Sequence, residues 1–156
     1  AKLKSFNPNI FNCCDKHRMY IEIIQNSNED IKEGAVFNET GIIGQVVNNK
    51  SFYEVMLLTD TKSSIPLTNS KGDFYCNASG SGASDYITCS YSQLVWLDNH
   101  ELGEKFFSSG LGGIYPKGIE IGSLESIKTI DTSTTLLKFK LISNPLHSNL
   151  FGVIKL

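Results

Sequence analysis

The stretch of sequence that decides the fold reads Thr40-Gly-Ile-Ile-Gly-Gln-Val-Val47, then Asn48-Asn-Lys-Ser51, then Phe52-Tyr-Glu-Val-Met-Leu-Leu-Thr59. The first segment is β-branched and contains two glycines, which are typical of a β-bulge or a barrel bend. The second segment is polar and predicts a turn. The third is apolar at nearly every position, which predicts a strand buried on both faces. Together they indicate neighbouring strands of an all-β fold.

Short strands separated by turn residues continue in both directions from this stretch. Met19–Ile24 alternates upstream, and Thr135–Ile142 alternates downstream with Leu137, Phe139 and Leu141 on one face. No segment shows a convincing apolar stripe at the spacing of a helix. About a dozen short strands at roughly ten-residue spacing predict an all-β fold of two small, packed β-barrels.

We expect the two barrels to divide the chain unequally. The predicted central barrel covers residues 41–91, and a second barrel combines the flanking segments 1–40 and 92–156. The N-terminal strand is expected at an edge, where Lys2 and Lys4 would discourage indiscriminate strand pairing.

Composition and charge exclude two classes of function. The 156 residues carry 14 Lys and Arg against 16 Asp and Glu, for a formal net charge of −2, and Arg18 is the only arginine. A basic face that binds nucleic acid needs clustered cations, which this balance does not supply. No apolar run reaches the roughly 18–20 residues that cross a bilayer, and the N-terminus has no signal-peptide pattern. Because the chain begins without Met, we expect a processed product or a piece of a longer protein.

The four cysteines do not have the spacing of a zinc site. Cys13 and Cys14 are adjacent, and neighbouring cysteines cannot easily occupy two tetrahedral positions. Cys76 and Cys89 flank Ala78–Ser84, which is a predicted hairpin tip. Two interpretations stay open for this pair: a cross-strand disulfide in an oxidising compartment, or two small apolar side chains.

A two-barrel, serine-protease-like hydrolase is the alternative function that the residues allow. The chain has three histidines, His17, His100 and His147, and Ser109 precedes a glycine-rich loop whose N–H groups could serve an oxyanion. However, the Gly-x-Ser-x-Gly nucleophile motif is absent. Sequence alone does not bring a serine, a histidine and an aspartate together.

We predict neither a cofactor nor a metal. The loop with Gly110, Gly112 and Gly113 matches no dinucleotide or P-loop pattern, and Pro116 argues against a helix directly after it. We interpret this loop, through Gly118, as a rigid structural turn. His100, Glu101 and Glu104 are close in sequence, but their surroundings are typical of a solvated polar turn.

Aromatic residues near turns are the remaining candidates for a functional surface. Most of them should belong to the core, and those that stay exposed would anchor a partner, because an aromatic ring buries much area at little entropic cost. We predict Phe52, Tyr53 and Tyr115 as partner-binding residues.

Four segments, in matching order and spacing, resemble the rod shape-determining family MreC. Thr40–Val47 is similar to that family's Gly-Leu-Val-Gly-x-Val strand, and Leu57–Pro66 to its Leu-Leu-Thr-Asp-x-x-Ser-x-Ile-Pro run. Ser109–Gly122 resembles the signature Ser-Gly-Leu-Gly-Gly-x-Phe-Pro-x-Gly-Ile-x-Val-Gly, with Tyr115 where Phe is usual. Glu29–Gly34 corresponds to a short turn that ends in Gly. The resemblance covers nearly the whole chain.

The resemblance implies a non-enzymatic scaffold of bacterial cell-wall elongation that maintains rod shape. The chain would be the periplasmic barrel portion of a protein anchored to the inner membrane through a segment outside this sequence. The implied partners are penicillin-binding proteins, including the elongation transpeptidase, together with MreD and the actin-like MreB. Self-association as a dimer or filament is also implied.

Overall fold

A computed structural model describes residues 1–6, 16–24, 30–93 and 99–156. All the regular secondary structure in these ranges is β-strand, which confirms the predicted all-β class. In chain order the strands are β1 (Lys2–Phe6), β2 (Arg18–Glu22), β3 (Gly34–Asn38), β4 (Gly41–Asn49), β5 (Tyr53–Leu57), β6 (Ser64–Asn69), β7 (Tyr75–Gly80), β8 (Tyr86–Ser92), β9 (Lys105–Ser108), β10 (Glu120–Thr129), β11 (Thr134–Leu141) and β12 (Gly152–Ile154). The described ranges contain no helix long and apolar enough to span a bilayer. Cys13 and Cys14 lie outside the described residues.

The strands form two antiparallel sheets, which we call the barrel and the open sheet. The barrel is closed, in the order β10-β11-β8-β7-β6-β9, and the open sheet has the order β1-β2-β5-β4-β3-β12. The two ends of the open sheet touch. Ala1 and Phe151 exchange two backbone hydrogen bonds of 2.6 and 2.8 Å, and Lys2 forms an isolated bridge with Leu150. The open sheet therefore curls toward a barrel without a continuous ladder between its ends.

Sheet membership differs from the boundaries predicted at 41–91, with 1–40 and 92–156 in the second unit. β4 and β5 belong to the open sheet, and the barrel takes residues 64–92 and 105–141. The predicted boundary fails because β5 pairs with β4 on one side and with β2 on the other. β5 pairs with β2 in a register that sets Met56 opposite Arg18, so the stretch that decides the fold completes a sheet begun near the N-terminus.

Each sheet has its own apolar core. The barrel interior is filled by side chains that include Leu67, Ile87, Phe106, Leu137 and Phe139. The core of the open sheet includes Met19, Ile21, Val36, Val55 and Leu57. Because alternate residues of each strand face these cores, the other faces are left for the junction between the sheets and for solvent.

The crossover from β5 to β6 contains a buried carboxylate that binds the crossover to β2 of the open sheet. Asp60 is fully buried, and its Oδ2 accepts hydrogen bonds of 2.9 Å from the His17 backbone N–H and from Arg18 Nε. Its Oδ1 accepts one from the Lys62 backbone N–H, also at 2.9 Å. Arg18 also contacts Glu54 at 3.3 Å. The single arginine of the chain is therefore committed to an internal ion pair.

A disulfide joins Cys76 on β7 to Cys89 on β8, with their Cα atoms 6.3 Å apart. Of the two interpretations left open by the sequence, the structure shows the cross-strand disulfide. The predicted hairpin tip lies between the two strands, since β7 ends at Gly80 and β8 begins at Tyr86.

Candidate functional site

The glycine-rich loop between β9 and β10 is closed at its neck by backbone pairing. The Ser108 N–H donates to the Ile119 carbonyl, and the Gly118 N–H donates to the Ser108 carbonyl, both at 2.8 Å. The Ser108 hydroxyl also donates to the Pro116 carbonyl and accepts from the Ile119 N–H. These bonds fix both ends of the loop to the barrel.

The turns of this loop depend on glycine at defined positions. Gly110, Gly112, Gly113 and Gly118 have φ of +79°, +82°, +71° and +84°, a conformation that glycine adopts without a steric penalty. At Gly110 a Cβ would also approach the Cβ of Lys117 to 2.8 Å. These turns support the structural role predicted for Gly110, Gly112, Gly113, Pro116 and Gly118, and the rigidity of the loop stays a prediction.

Tyr115, at the centre of the loop, is buried at the junction of the two sheets. Its ring is 1% exposed and belongs to the barrel core. Its hydroxyl donates a 3.1 Å hydrogen bond to Oε1 of Gln45 on β4. Burial raises the pKa of the Tyr115 hydroxyl, so the group stays protonated and remains a donor at physiological pH. The prediction that Tyr115 is exposed is wrong, because the closed loop turns the ring inward.

An apolar depression, which we call the junction groove, lies beside Tyr115. Its volume is about 310 Å³. Its lining comes from both sheets and the loop: Gln45, Met56, Lys62, Ser64, Pro66, Leu111, Gly112, Ile114 and Tyr115. Leu111 is 57% exposed at the rim. Sequence reasoning missed Leu111, Gln45 and Met56. Leu111 could have been predicted as exposed, because it is an apolar residue between glycines in a turn.

Strand register explains why Gln45 and Met56 reach the groove. Across neighbouring strands Ala35 stands opposite Gln45, Gln45 opposite Met56, and Met56 opposite Arg18. Residues paired in this way share one face of a sheet. Ala35 belongs to the barrel core, so this row faces the barrel.

Phe52 and Tyr53 lie at a different place, since Phe52 ends the turn between β4 and β5 and Tyr53 is the first residue of β5. Phe52 is 44% exposed, and Lys4 Nζ lies 5.4 Å from the centre of its ring, within the range of a cation–π contact. Lys4 also pairs with Glu22 at 3.2 Å. Tyr53 is half-buried against the core of the open sheet. The structure therefore brings Phe52 and Tyr53 together but separates them from Tyr115.

The histidines do not assemble a catalytic triad within the described ranges. His17 Nδ1 lies 2.7 Å from Thr59 Oγ1, both residues are buried, and the His17 backbone N–H donates to Asp60. His100 contacts Glu104 at 3.4 Å, and exposed His147 contacts Glu39 at 3.2 Å. Among the described residues no group of three or more His, Cys, Asp or Glu could hold a metal ion.

A family model described as "Rod shape-determining protein MreC, barrel core" matches residues 10–154. The chain belongs to the MreC family. A curated relative, the cell shape-determining protein MreC of Haemophilus influenzae, is 31% identical over 115 residues, which are 72% of this chain and 32% of that protein. The chain spans about a third of the length of the curated MreC proteins that it matches.

Solved MreC structures share the fold. The crystal structure of MreC from Pseudomonas aeruginosa matches with a TM-score of 0.81 over 98% of this chain and 96% of that chain, at 22% identity. A chain of the complex between Penicillin-Binding Protein (PBP2) and MreC from Helicobacter pylori matches with a TM-score of 0.65 over 90% of this chain and 89% of that chain, at 18% identity. These matches confirm the all-β architecture.

Family membership also decides between the two classes of function. MreC is a cell shape-determining protein and not an enzyme, so the expectation of a non-catalytic chain is confirmed. The alternative of a serine-protease-like hydrolase is wrong. The glycine-rich loop belongs to the architecture that joins the two sheets.

Proposed function

We propose that this chain is the partner-binding portion of a periplasmic scaffold for cell-wall elongation, and that its partner is a penicillin-binding protein with transpeptidase activity. Membership of a shape-determining family supports the scaffold role. The complex between PBP2 and MreC from Helicobacter pylori, whose fold this chain shares, supports the class of partner. The full-length protein would be anchored to the inner membrane outside this sequence, act with MreD and MreB, and self-associate as a dimer or filament.

The observation that carries this proposal is the exposed aromatic surface at the turn between β4 and β5. The ring of Phe52 is substantially exposed, although its neighbour Tyr53 is half-buried against the core and holds the turn in place. Because the ordered neighbour already fixes the backbone of the turn, the exposed ring loses little conformational entropy when a partner covers it. Phe52 and Tyr53 are therefore the proposed anchors.

Tyr115 enters the proposal as a positioning residue. Its hydroxyl binds Gln45 of the open sheet, while its ring is part of the barrel core. A partner that touches both sheets needs them at a fixed angle, which this contact supports. Loss of Tyr115 would therefore weaken binding indirectly.

The experiment measures the affinity of a purified elongation transpeptidase for the wild-type chain and for Phe52→Ala and Tyr53→Ala. We expect a true anchor to cost about 2 kcal/mol or more, which is roughly a thirtyfold loss of affinity. Leu102→Ala is the matched control, because Leu102 is an exposed apolar residue in a turn before β9. Unchanged affinity in both aromatic variants would remove Phe52 and Tyr53 as anchors.

Self-association is tested separately with the same proteins. Sedimentation of the wild-type chain over a range of concentrations distinguishes a monomer from a dimer or a longer assembly. A chain that stays monomeric at high concentration would remove self-association from the role of this portion, without affecting the transpeptidase proposal.

A further inference from the structure

Neighbouring strands of the barrel meet along seams, by which we mean the lines where two strands pair. The seam between β7 and β8 has the fewest paired residues. In the described residues these strands pair only at Ser79↔Thr88 and Gly80↔Ile87, directly beside their turn. On its other edge β8 pairs with β11 over seven consecutive residues. Because closure of a barrel requires a connection at every seam, something other than backbone pairing must hold β7 to β8 away from the turn.

The disulfide lies where this ladder has ended. If the register of the two pairs continued, Cys76 would stand opposite Tyr91. The covalent bond instead joins Cys76 to Cys89, which is two residues nearer the turn. Beyond the disulfide, the rings of Phe74 and Tyr91 meet edge-on with their centres 5.1 Å apart. The disulfide therefore fills the gap between the short ladder and this aromatic contact.

The two sulfur-bearing residues are not equally accessible. Cys89 is 2% exposed and belongs to the barrel core, where it stands opposite Leu137 of β11. Cys76 is partly exposed and packs against the same core. An external thiol approaching the folded barrel therefore reaches Cys76 before Cys89.

We propose that the chain is a substrate for thiol–disulfide exchange and that the Cys76–Cys89 bond is a redox-controlled closure of the barrel. In the oxidised state the bond holds the seam shut. In the reduced state the seam is held by the short ladder and by aromatic packing, so β7 and β8 separate more often while the other seams persist. This inference goes beyond the proposed function, since it does not depend on which partner the scaffold binds.

The exchange requires a protein or small molecule that carries a dithiol or a disulfide. In reduction, a thiolate of the dithiol attacks the Cys76 sulfur, the bond between the cysteines breaks, and Cys89 leaves as a thiolate that takes up a proton. The second thiolate of the reagent then attacks the mixed disulfide and releases Cys76, which also becomes a thiol. The reagent is left as a disulfide, so two electrons have passed to the chain. Oxidation follows the same steps in reverse.

The first experiment compares the oxidised chain with the double variant Cys76→Ser/Cys89→Ser, both carrying Cys13→Ser and Cys14→Ser. The disulfide closes a loop in the unfolded chain, with a sequence separation of 13, and so lowers the entropy of that state. Because the double variant lacks this restraint, we expect its melting temperature to fall by about 10 °C. Under native conditions hydrogen exchange should accelerate at least tenfold more in β7 and β8 than in β10 and β11, where only the general loss of stability acts. Equal acceleration in all four strands, or no acceleration, would overturn the proposal.

The second experiment tests the order of attack on the folded chain in the same background. Cys89→Ser leaves Cys76 as the only thiol, and Cys76→Ser leaves Cys89. We expect oxidised glutathione to form a mixed disulfide with Cys76 at least roughly tenfold faster than with Cys89, because the thiolate must be accessible to react. Circular dichroism first establishes that both variants are folded. Equal rates would contradict the assignment of Cys76 as the point of exchange.

Discussion

The barrel and the open sheet contain the same number of strands and the same antiparallel pairing, but they end differently. The barrel closes by hydrogen bonding β9 to both β6 and β10. The open sheet ends at β1 and β12, which meet through an isolated bridge and the contact between Ala1 and Phe151. A closed barrel has no edge for a partner strand, and it also has little freedom to widen. The open sheet has edge strands and more freedom to widen. It also carries the exposed ring of Phe52.

The largest effect is expected where the two regions are joined. Asp60→Ala removes the carboxylate that binds Arg18 and two backbone N–H groups. Arg18 would keep only Glu54 at 3.3 Å, and two backbone N–H groups would lose their acceptor. Breaking a buried ion pair and these hydrogen bonds together costs about 3–5 kcal/mol of unfolding free energy. Urea unfolding measures the loss, with the exposed Glu125→Ala as control. A loss below about 1 kcal/mol would show that the stability of the fold does not depend on this ion pair.

Matched glycines test whether closure makes the barrel more rigid. A Cβ at Gly122 of the barrel would meet the Lys140 carbonyl oxygen, and one at Gly44 of the open sheet would meet that of Met56. Overpacking costs typically 1–3 kcal/mol, with the smaller cost where the structure can relax. We expect about 3 kcal/mol for Gly122→Ala and about 1 kcal/mol for Gly44→Ala in urea unfolding. The reverse order would contradict the comparison.

Tyr115→Phe removes one hydrogen bond between the regions and keeps the ring. The variant leaves Gln45 Oε1 without its donor, which we expect to cost about 1 kcal/mol of unfolding free energy. Chemical denaturation measures the change, and Gln45→Ala, made alone and together with Tyr115→Phe, completes a double-mutant cycle. A coupling energy near zero in that cycle would show that this hydrogen bond does not join the two sheets.

The smallest effect is expected at the tip of the hairpin between β10 and β11. Hydrogen bonds from the backbone and hydroxyl of Ser133, and then from Thr134, lower the pKa of the Asp131 carboxyl. A lowered pKa in the folded state stabilises the turn above the pKa of the unfolded chain, and this contribution is lost as pH falls through the folded value. Amide exchange at Ser133 and Thr134, measured by NMR, should therefore increase below about pH 4 after correction for the intrinsic pH dependence of exchange. Asp131→Asn should abolish that pH dependence.

The positions of the strands could be predicted from the sequence more accurately than the pairing between them. Alternation along Thr135–Ile142 reports which faces are buried, because the side-chain period of a strand is local. The pairing of β5 with β2 depends on packing between distant segments, and many other pairings would satisfy the same alternation. This is why the predicted boundary at residue 41 divided a single sheet.

The candidate site was predicted in part for a related reason. The positive-φ glycines of the loop follow from local steric rules. The direction of the Tyr115 ring does not, because the contact with Gln45 joins residues that are 70 positions apart. Phe52 has the same turn context as Tyr115 and is exposed. Turn context therefore does not distinguish an outward-facing ring from a buried one.

The pairing of β12 with β3 sets an order for folding. Gly152 stands opposite Phe37, and the whole barrel lies between them in the chain. Bringing distant segments together carries a larger entropic cost before any contact compensates for it. We expect the hairpins of the barrel to form first and to shorten this separation. The final edge of the open sheet would then be added last, as the slowest step of refolding.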